Sequence, residues 1–198
     1  MGNICFNLPK GKFSEFLMQV TRLSIPDVLL IEPVVFDDAR GVFYESFNQR
    51  AFNKATGTDY QFVQDNHSHS RKGVLRGLHY QLQRPQGKLV RVVQGVVFDV
   101  AVDLRKSSPT FGKWVGQILS AEHRALMWVP PGFAHGFLTL SDTSDFIYKT
   151  TDYWYPEHER IIRWDDAGLG IDWPLTAPPI LTSKDAMAPH MCDADLYE

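Results

Sequence analysis

An all-β fold, either a two-sheet sandwich or a closed barrel, is what this sequence predicts. From Val28 onward, short runs rich in β-branched and aromatic residues recur about every ten residues, and Gly, Pro, Asp and Ser interrupt them. Val96 to Leu104 alternates strictly, with Val96, Phe98, Val100, Val102 and Leu104 on one face and Asp99 and Asp103 on the other. Only one internal stretch, Asn48 to Thr56, reads as helix, with Asn48 placed as a cap and Gly57 as the stop.

Taken in order, the expected strands are Val28 to Phe36, Val42 to Phe47, Phe62 to Ser68, Gly73 to Gln81 and Leu89 to Val93. They continue with Val96 to Leu104, Trp114 to Ser120, Ala125 to Val129, Gly136 to Leu140 and Phe146 to Thr151. So many strands imply two sheets, and the proline-rich stretch Trp173 to Pro179 reads as a tail wrapping them. In a barrel, Asp99 and Asp103 face either a solvated exterior or a polar interior pocket, and alternation alone does not choose. A length of 198 residues suits one domain, expected over 18–198. Residues 1–17 are expected to be an extension outside the chemistry, because the strand pattern begins only after Met18, itself a plausible second start. They show no charged-then-apolar leader, and Phe6 stands where a myristoylation motif needs Ser or Thr.

A hydrophobic share of 44% with no apolar run of membrane-spanning length predicts a soluble protein without a membrane partner. A formal net charge of −3 argues against nucleic acid, while leaving room for a local basic cluster that holds one small phosphorylated ligand. Cys5 and Cys192 stand at opposite ends with no metal-type spacing, which suggests neither a disulfide framework nor a zinc site and fits a reducing cytoplasm.

Two of the histidines carry more information than the others. His79 lies in Arg76-Gly77-Leu78-His79-Tyr80-Gln81, and His135 in Pro130-Pro131-Gly132-Phe133-Ala134-His135-Gly136. The layout resembles that of cupins, in which two histidines two residues apart precede a Pro-x-Gly-x-x-His segment, and it implies a cupin-type jelly-roll β-barrel with few short helices. The metal set is broken, however. Gln81 occupies the second histidine position and no glutamate follows at 82–85, so a bound metal is not expected. Arg76, Lys88 and Arg91 surround His79 in sequence, and cations so near a barrel interior need an anion from protein or ligand. Strand parity sets Arg76 and His79 on opposite faces, so both reach one pocket only if Gly77 marks a bulge or bend.

Beyond these motifs the sequence resembles the dTDP-4-dehydrorhamnose 3,5-epimerase family from about Met18 to about Asp185. The segments that carry the resemblance include Arg40-Gly41-Val42-Phe43-Tyr44-Glu45-Ser46-Phe47, Phe62-Val63-Gln64-Asp65-Asn66-His67-Ser68, Gly73 to Gln81, Gln86 to Arg91 and Phe98 to Arg105. Ser108 to Trp114, Pro131 to Phe137, Tyr148 to Thr151 and Ser183-Lys184-Asp185 complete them. The resemblance implies a cofactor-free homodimer acting on a dTDP-4-keto-6-deoxy-hexose. His79 would be the base, Asp185 its orienting carboxylate, Tyr148 the acid and Lys88 the cation beside the developing enolate. Substrate contacts would fall to Arg40, Glu45, Gln64, Asn66, Arg76, His135 and Lys184, with Tyr153 and Trp154 near the sugar.

The chemistry is consistent with those residue types. In a 4-keto sugar both C3 and C5 neighbour the carbonyl, so one base of ordinary imidazole pKa can serve both carbons. A cation interacts more strongly with an enolate oxygen than with a neutral ketone, and that difference accelerates the step. Three rival readings are a single-carbon epimerase with the same base and acid, a metal-dependent cupin oxygenase, and a non-catalytic sugar-nucleotide binding module.

Overall fold

The computed structural model describes residues 18–198, so the expected extension over 1–17, including Cys5, lies outside the described residues. Among the described residues thirteen strands run in chain order: β1 Met18–Arg22, β2 Leu29–Pro33, β3 Val35–Asp38, β4 Gly41–Tyr44, β5 Gln64–Arg71, β6 Leu75–Gln81 and β7 Lys88–Gln94 come first. β8 Val96–Asp103, β9 Trp114–Ser120, β10 Leu126–Val129, β11 Phe133–Thr139, β12 Thr143–Thr150 and β13 Glu159–Ile161 follow. Two short α-helices, α1 Gln49–Thr56 and α2 Ser183–Ala186, complete the frame.

The strands form a six-stranded sheet in the order β1-β2-β10-β7-β12-β5, a five-stranded sheet in the order β13-β6-β11-β8-β9, and a separate β3-β4 ribbon. The two large sheets pack face to face. Val90, Val92, Met127 and Phe146 of one meet Val97, Ala101, Leu119, Phe133 and Phe137 of the other, and the Phe137 and Phe146 rings stack at 4.1 Å between centroids. This is the expected jelly roll, with its sheets not hydrogen-bonded into a closed ring. Each outer face is covered in turn. Helix α1 lays Phe52 on Leu89, Leu126 and Trp128 of the six-stranded sheet, and the C-terminal tail lays Leu169 and Trp173 on Val100, Val102 and Leu138 of the five-stranded one.

Helix α1 begins and ends where its sequence indicates. The Asn48 side chain accepts from the Ala51 N–H, and Gly57 takes the left-handed conformation at φ +71 that glycine adopts without a Cβ penalty. The alternation in β8 resolves against a solvated exterior. Its valine face lies beneath the tail, while Asp99, fully buried, points between the sheets. Asp103 ends the strand in a shell of Arg105, Ser108 and Thr110 bonds that hold its carboxyl low, at about 2, against the opposing effect of burial.

Candidate active site

A pocket of about 340 Å³ opens between the two sheets. Strand periodicity determines who faces it: Gln64, Asn66 and Ser68 from β5, His135 and Phe137 from β11, and Phe146 and Tyr148 from β12, each set spaced by two. Strand β6 breaks that rule. It contributes both Arg76 and His79, three positions apart, because the β6–β11 pairing shifts register between the partners His135↔His79 and Phe137↔Arg76. Gly77 is the extra residue, with φ +136, and a Cβ there would stand 2.6 Å from the Gly136 Cα. The bulge expected at Gly77 is therefore present, and it delivers a guanidinium and an imidazole to one cavity.

Asp185 stands behind His79. His79 Nε2 donates to Asp185 Oδ1 at 2.6 Å; a carboxylate only accepts, so the proton sits on Nε2 and Nδ1 is left as the basic nitrogen. The α2 cap fixes the carboxylate, with Thr182 Oγ1 donating to Asp185 Oδ2 at 2.8 Å and accepting from the Asp185 N–H at 3.2 Å. Burial alone would raise the Asp185 carboxyl. The hydrogen bond and charge of His79 and the bond from Thr182 outweigh it and hold Asp185 below the usual carboxylate range.

Lys88 enters from β7 on the facing sheet, buried, its Nζ donating to the His79 carbonyl at 3.1 Å. Desolvation lowers its pKa from 10.5 to about 8, with Glu159 and Asp99 pulling the other way. Tyr148 also comes from the facing sheet, and burial followed by the nearby Glu159 charge raises its phenol above the ordinary value, so it stays protonated at neutral pH. A second imidazole–carboxylate pair lies alongside: His135 Nε2 is 3.0 Å from both oxygens of buried Asp99. Burial pushes Asp99 up and His135 down, each opposed by the other's proximity.

Of the residues singled out in the sequence, His79, Lys88, Tyr148, Gln64, Asn66, Arg76, His135 and Trp154 line this pocket, with Asp185 directly behind. Tyr153 is exposed beside Trp154, and Lys184 pairs with Glu159, a lining residue. Arg40 and Glu45 do not reach the pocket of their own chain. Arg40 pairs with Asp38 on the β3–β4 ribbon, and Glu45 accepts from Asn48 at 3.1 Å. Arg91 faces the other way, because β7 points Lys88 inward and Arg91, three positions on, toward a second cavity beside Phe47 and Lys149. Sequence reasoning left Asp99 undecided and missed Glu159 and Gln86. The alternation of β8 was the available signal for Asp99, while β13 is too short to give one for Glu159. Among the described residues, no three His, Cys, Asp or Glu side chains gather where they could hold a metal ion.

A model of the family described as dTDP-4-dehydrorhamnose 3,5-epimerase matches residues 22–193. The chain is 61% identical over 180 residues to the Pseudomonas aeruginosa protein called dTDP-4-dehydrorhamnose 3,5-epimerase, covering 91% of this chain and 99% of that one. Among solved structures, it is similar to a dTDP-6-deoxy-D-glucose-3,5-epimerase from Legionella pneumophila in complex with dTDP-4-keto-L-rhamnose. The two share 51% identity and a TM-score of 0.89, with 91% of this chain and 98% of that one covered. It is also similar to a 3'-monoepimerase from Streptomyces bikiniensis in complex with dTDP-quinovose, at 36% identity and a TM-score of 0.81 over 86% of each chain.

Proposed function

The chain belongs to the dTDP-4-dehydrorhamnose 3,5-epimerase family, and from that premise we propose that it converts dTDP-4-dehydro-6-deoxy-D-glucose to dTDP-4-dehydro-L-rhamnose by inverting C3 and C5. His79 Nδ1 removes the proton from each carbon in turn, while Asp185 accepts from Nε2 and stabilises the imidazolium that forms. Lys88, already desolvated, meets the charge that develops on the C4 oxygen. Tyr148 returns a proton to the opposite face of the sugar and is refilled from solvent. Arg76 is placed for the diphosphate, with Gln64, Asn66, His135, Lys184, Tyr153 and Trp154 around the rest of the substrate.

The observation that supports this reading is that His79 and Tyr148 line one pocket from opposite walls. His79 projects from the five-stranded sheet and Tyr148 from the six-stranded sheet into one pocket. A sugar held between them presents one face to each, as inversion through an enolate requires. A monoepimerase among the structural relatives keeps a second reading in view, inversion of one carbon only. Incubating the protein with dTDP-4-keto-6-deoxyglucose in D2O and following both carbons by NMR decides between them. Deuterium at C3 and C5 with the L-configured product is expected; label and inversion at one carbon alone would make this a single-carbon epimerase.

The exposed β3–β4 ribbon supports a homodimer. Phe43 is 63% exposed, and Val42 and Phe36 stand out beside it, an apolar surface that a second copy would cover. Arg40 and Glu45 would then serve the pocket of that second copy. No described helix is long and apolar enough to cross a membrane, and the work we assign to the chain is cytoplasmic.

A further inference from the structure

Gln81 occupies the position where a cupin metal site would carry its second histidine, and it is 3% exposed on the pocket wall. Its amide is fully engaged with main chain. Nε2 donates to the Arg84 carbonyl at 2.6 Å and to the Tyr153 carbonyl at 3.2 Å, and Oε1 accepts from the Tyr155 N–H at 2.8 Å. Two carbonyls on one side and an N–H on the other fix which end of the amide is nitrogen. The demand is specific to glutamine: a glutamate would set oxygen against two carbonyl oxygens, and a neutral histidine has a single donor.

The residue enclosed by these bonds is Trp154. One side chain holds the carbonyl before it and the N–H after it, and Trp154's own N–H donates to Gln64 Oε1 at 3.1 Å. The segment is anchored on both flanks as well, with Gln86 donating to the Asp152 carbonyl at 2.9 Å and Arg84 gripping the Asp152 carboxylate. Yet Trp154 itself stays 53% exposed at the pocket wall, a broad apolar side chain whose backbone is held on both sides. We propose that Gln81 is a positioning residue, which brackets Trp154 and fixes the aromatic wall against which the substrate packs. The proposal rests on the epimerase reading of this pocket and adds to it a residue that touches no reacting atom.

A wall that contacts substrate equally in ground and transition states appears in KM rather than in kcat. Gln81→Glu should therefore raise KM for dTDP-4-keto-6-deoxyglucose about tenfold and change kcat by less than about threefold. Trp154→Ala should do the same, and the double variant should be no worse than either single one, because both changes remove one feature. Gln81→Met, which lacks donors without adding charge, repeats the test should the glutamate variant fail to fold by circular dichroism. An unchanged KM in a folded Gln81 variant, a collapse of kcat at constant KM, or effects that multiply in the double variant would each overturn the proposal. Were the wild-type chain inactive on the keto sugar, the epimerase reading would fail on its own. The same cycle, read in the dissociation constant for dTDP by calorimetry, would then decide about Gln81: non-additive weakening supports the bracket, and additive or absent weakening refutes it.

Discussion

Lys88 Nζ donates to the His79 carbonyl, and among the described residues it forms no ion pair, so the effect of burial outweighs the opposing charges of Glu159 and Asp99. A folded pKa of about 8 against an ordinary 10.5 means that the charged form is disfavoured in the fold by roughly 3 kcal/mol. The sign follows from proton counts. Between about 8 and 10.5 the unfolded chain binds more protons, so this group's penalty is full below pH 8 and is relieved as pH rises through that window. Lys88→Met should therefore raise unfolding free energy at pH 7 by up to ~3 kcal/mol in urea titrations, less whatever the released His79 carbonyl costs, with the gain shrinking toward pH 10.5. The same substitution should abolish turnover. In the wild type, kcat/KM should fall as pH rises through about 8, where the ammonium is lost. A Lys88→Met protein that is less stable, or a wild-type profile flat from pH 7 to 10, would contradict the role given to this lysine.

At the scale of elements, strand β6 is where the site is made. Its bulge at Gly77 brings Arg76 and His79 to one side, and the close approach of Gly77 to Gly136 leaves no room for a side chain. Gly77→Ala should cost about 2–3 kcal/mol through its positive φ and lower kcat/KM by separating the two residues; a melt unchanged from wild type would mean the bulge is not needed. This bulge was legible in the sequence as a condition, because strand parity lets Arg76 and His79 share a pocket only if Gly77 bulges or bends. So were the limits of β9, and α1 with its cap and stop, all fixed by local pattern. The run Val28 to Phe36 was not legible as two elements: β2 ends at Pro33, and β3 leaves for the ribbon. Strand β13 has three residues and exists only through its pairing with β6, and the four-residue α2 is held by Thr182 and the His79 bond. Such elements come from contacts far apart in sequence. His79 and Asp185 are 106 residues apart, and only the family resemblance joined them beforehand.

For the whole molecule, the two sheets bring His79 and Tyr148 to one pocket from opposite sides, while the β3–β4 ribbon leaves Phe36, Val42 and Phe43 exposed. Homodimerisation through that ribbon predicts that Phe43→Asp yields monomer by sedimentation at micromolar concentration. It also predicts a raised KM, since Arg40 and Glu45 would no longer reach a neighbouring pocket. A wild-type monomer with full activity would contradict that arrangement. The central claim, one base and one acid on facing walls, is tested most directly by measuring hydrogen exchange and inversion together in D2O for His79→Ala and Tyr148→Phe. His79→Ala should lose both at C3 and C5, because no enolate forms without its base. Tyr148→Phe keeps His79 and Lys88, so exchange should persist with retained configuration while inversion slows by about a hundred to ten thousandfold. Equal loss of exchange and inversion in a folded Tyr148→Phe protein, or surviving exchange in His79→Ala, would contradict the account.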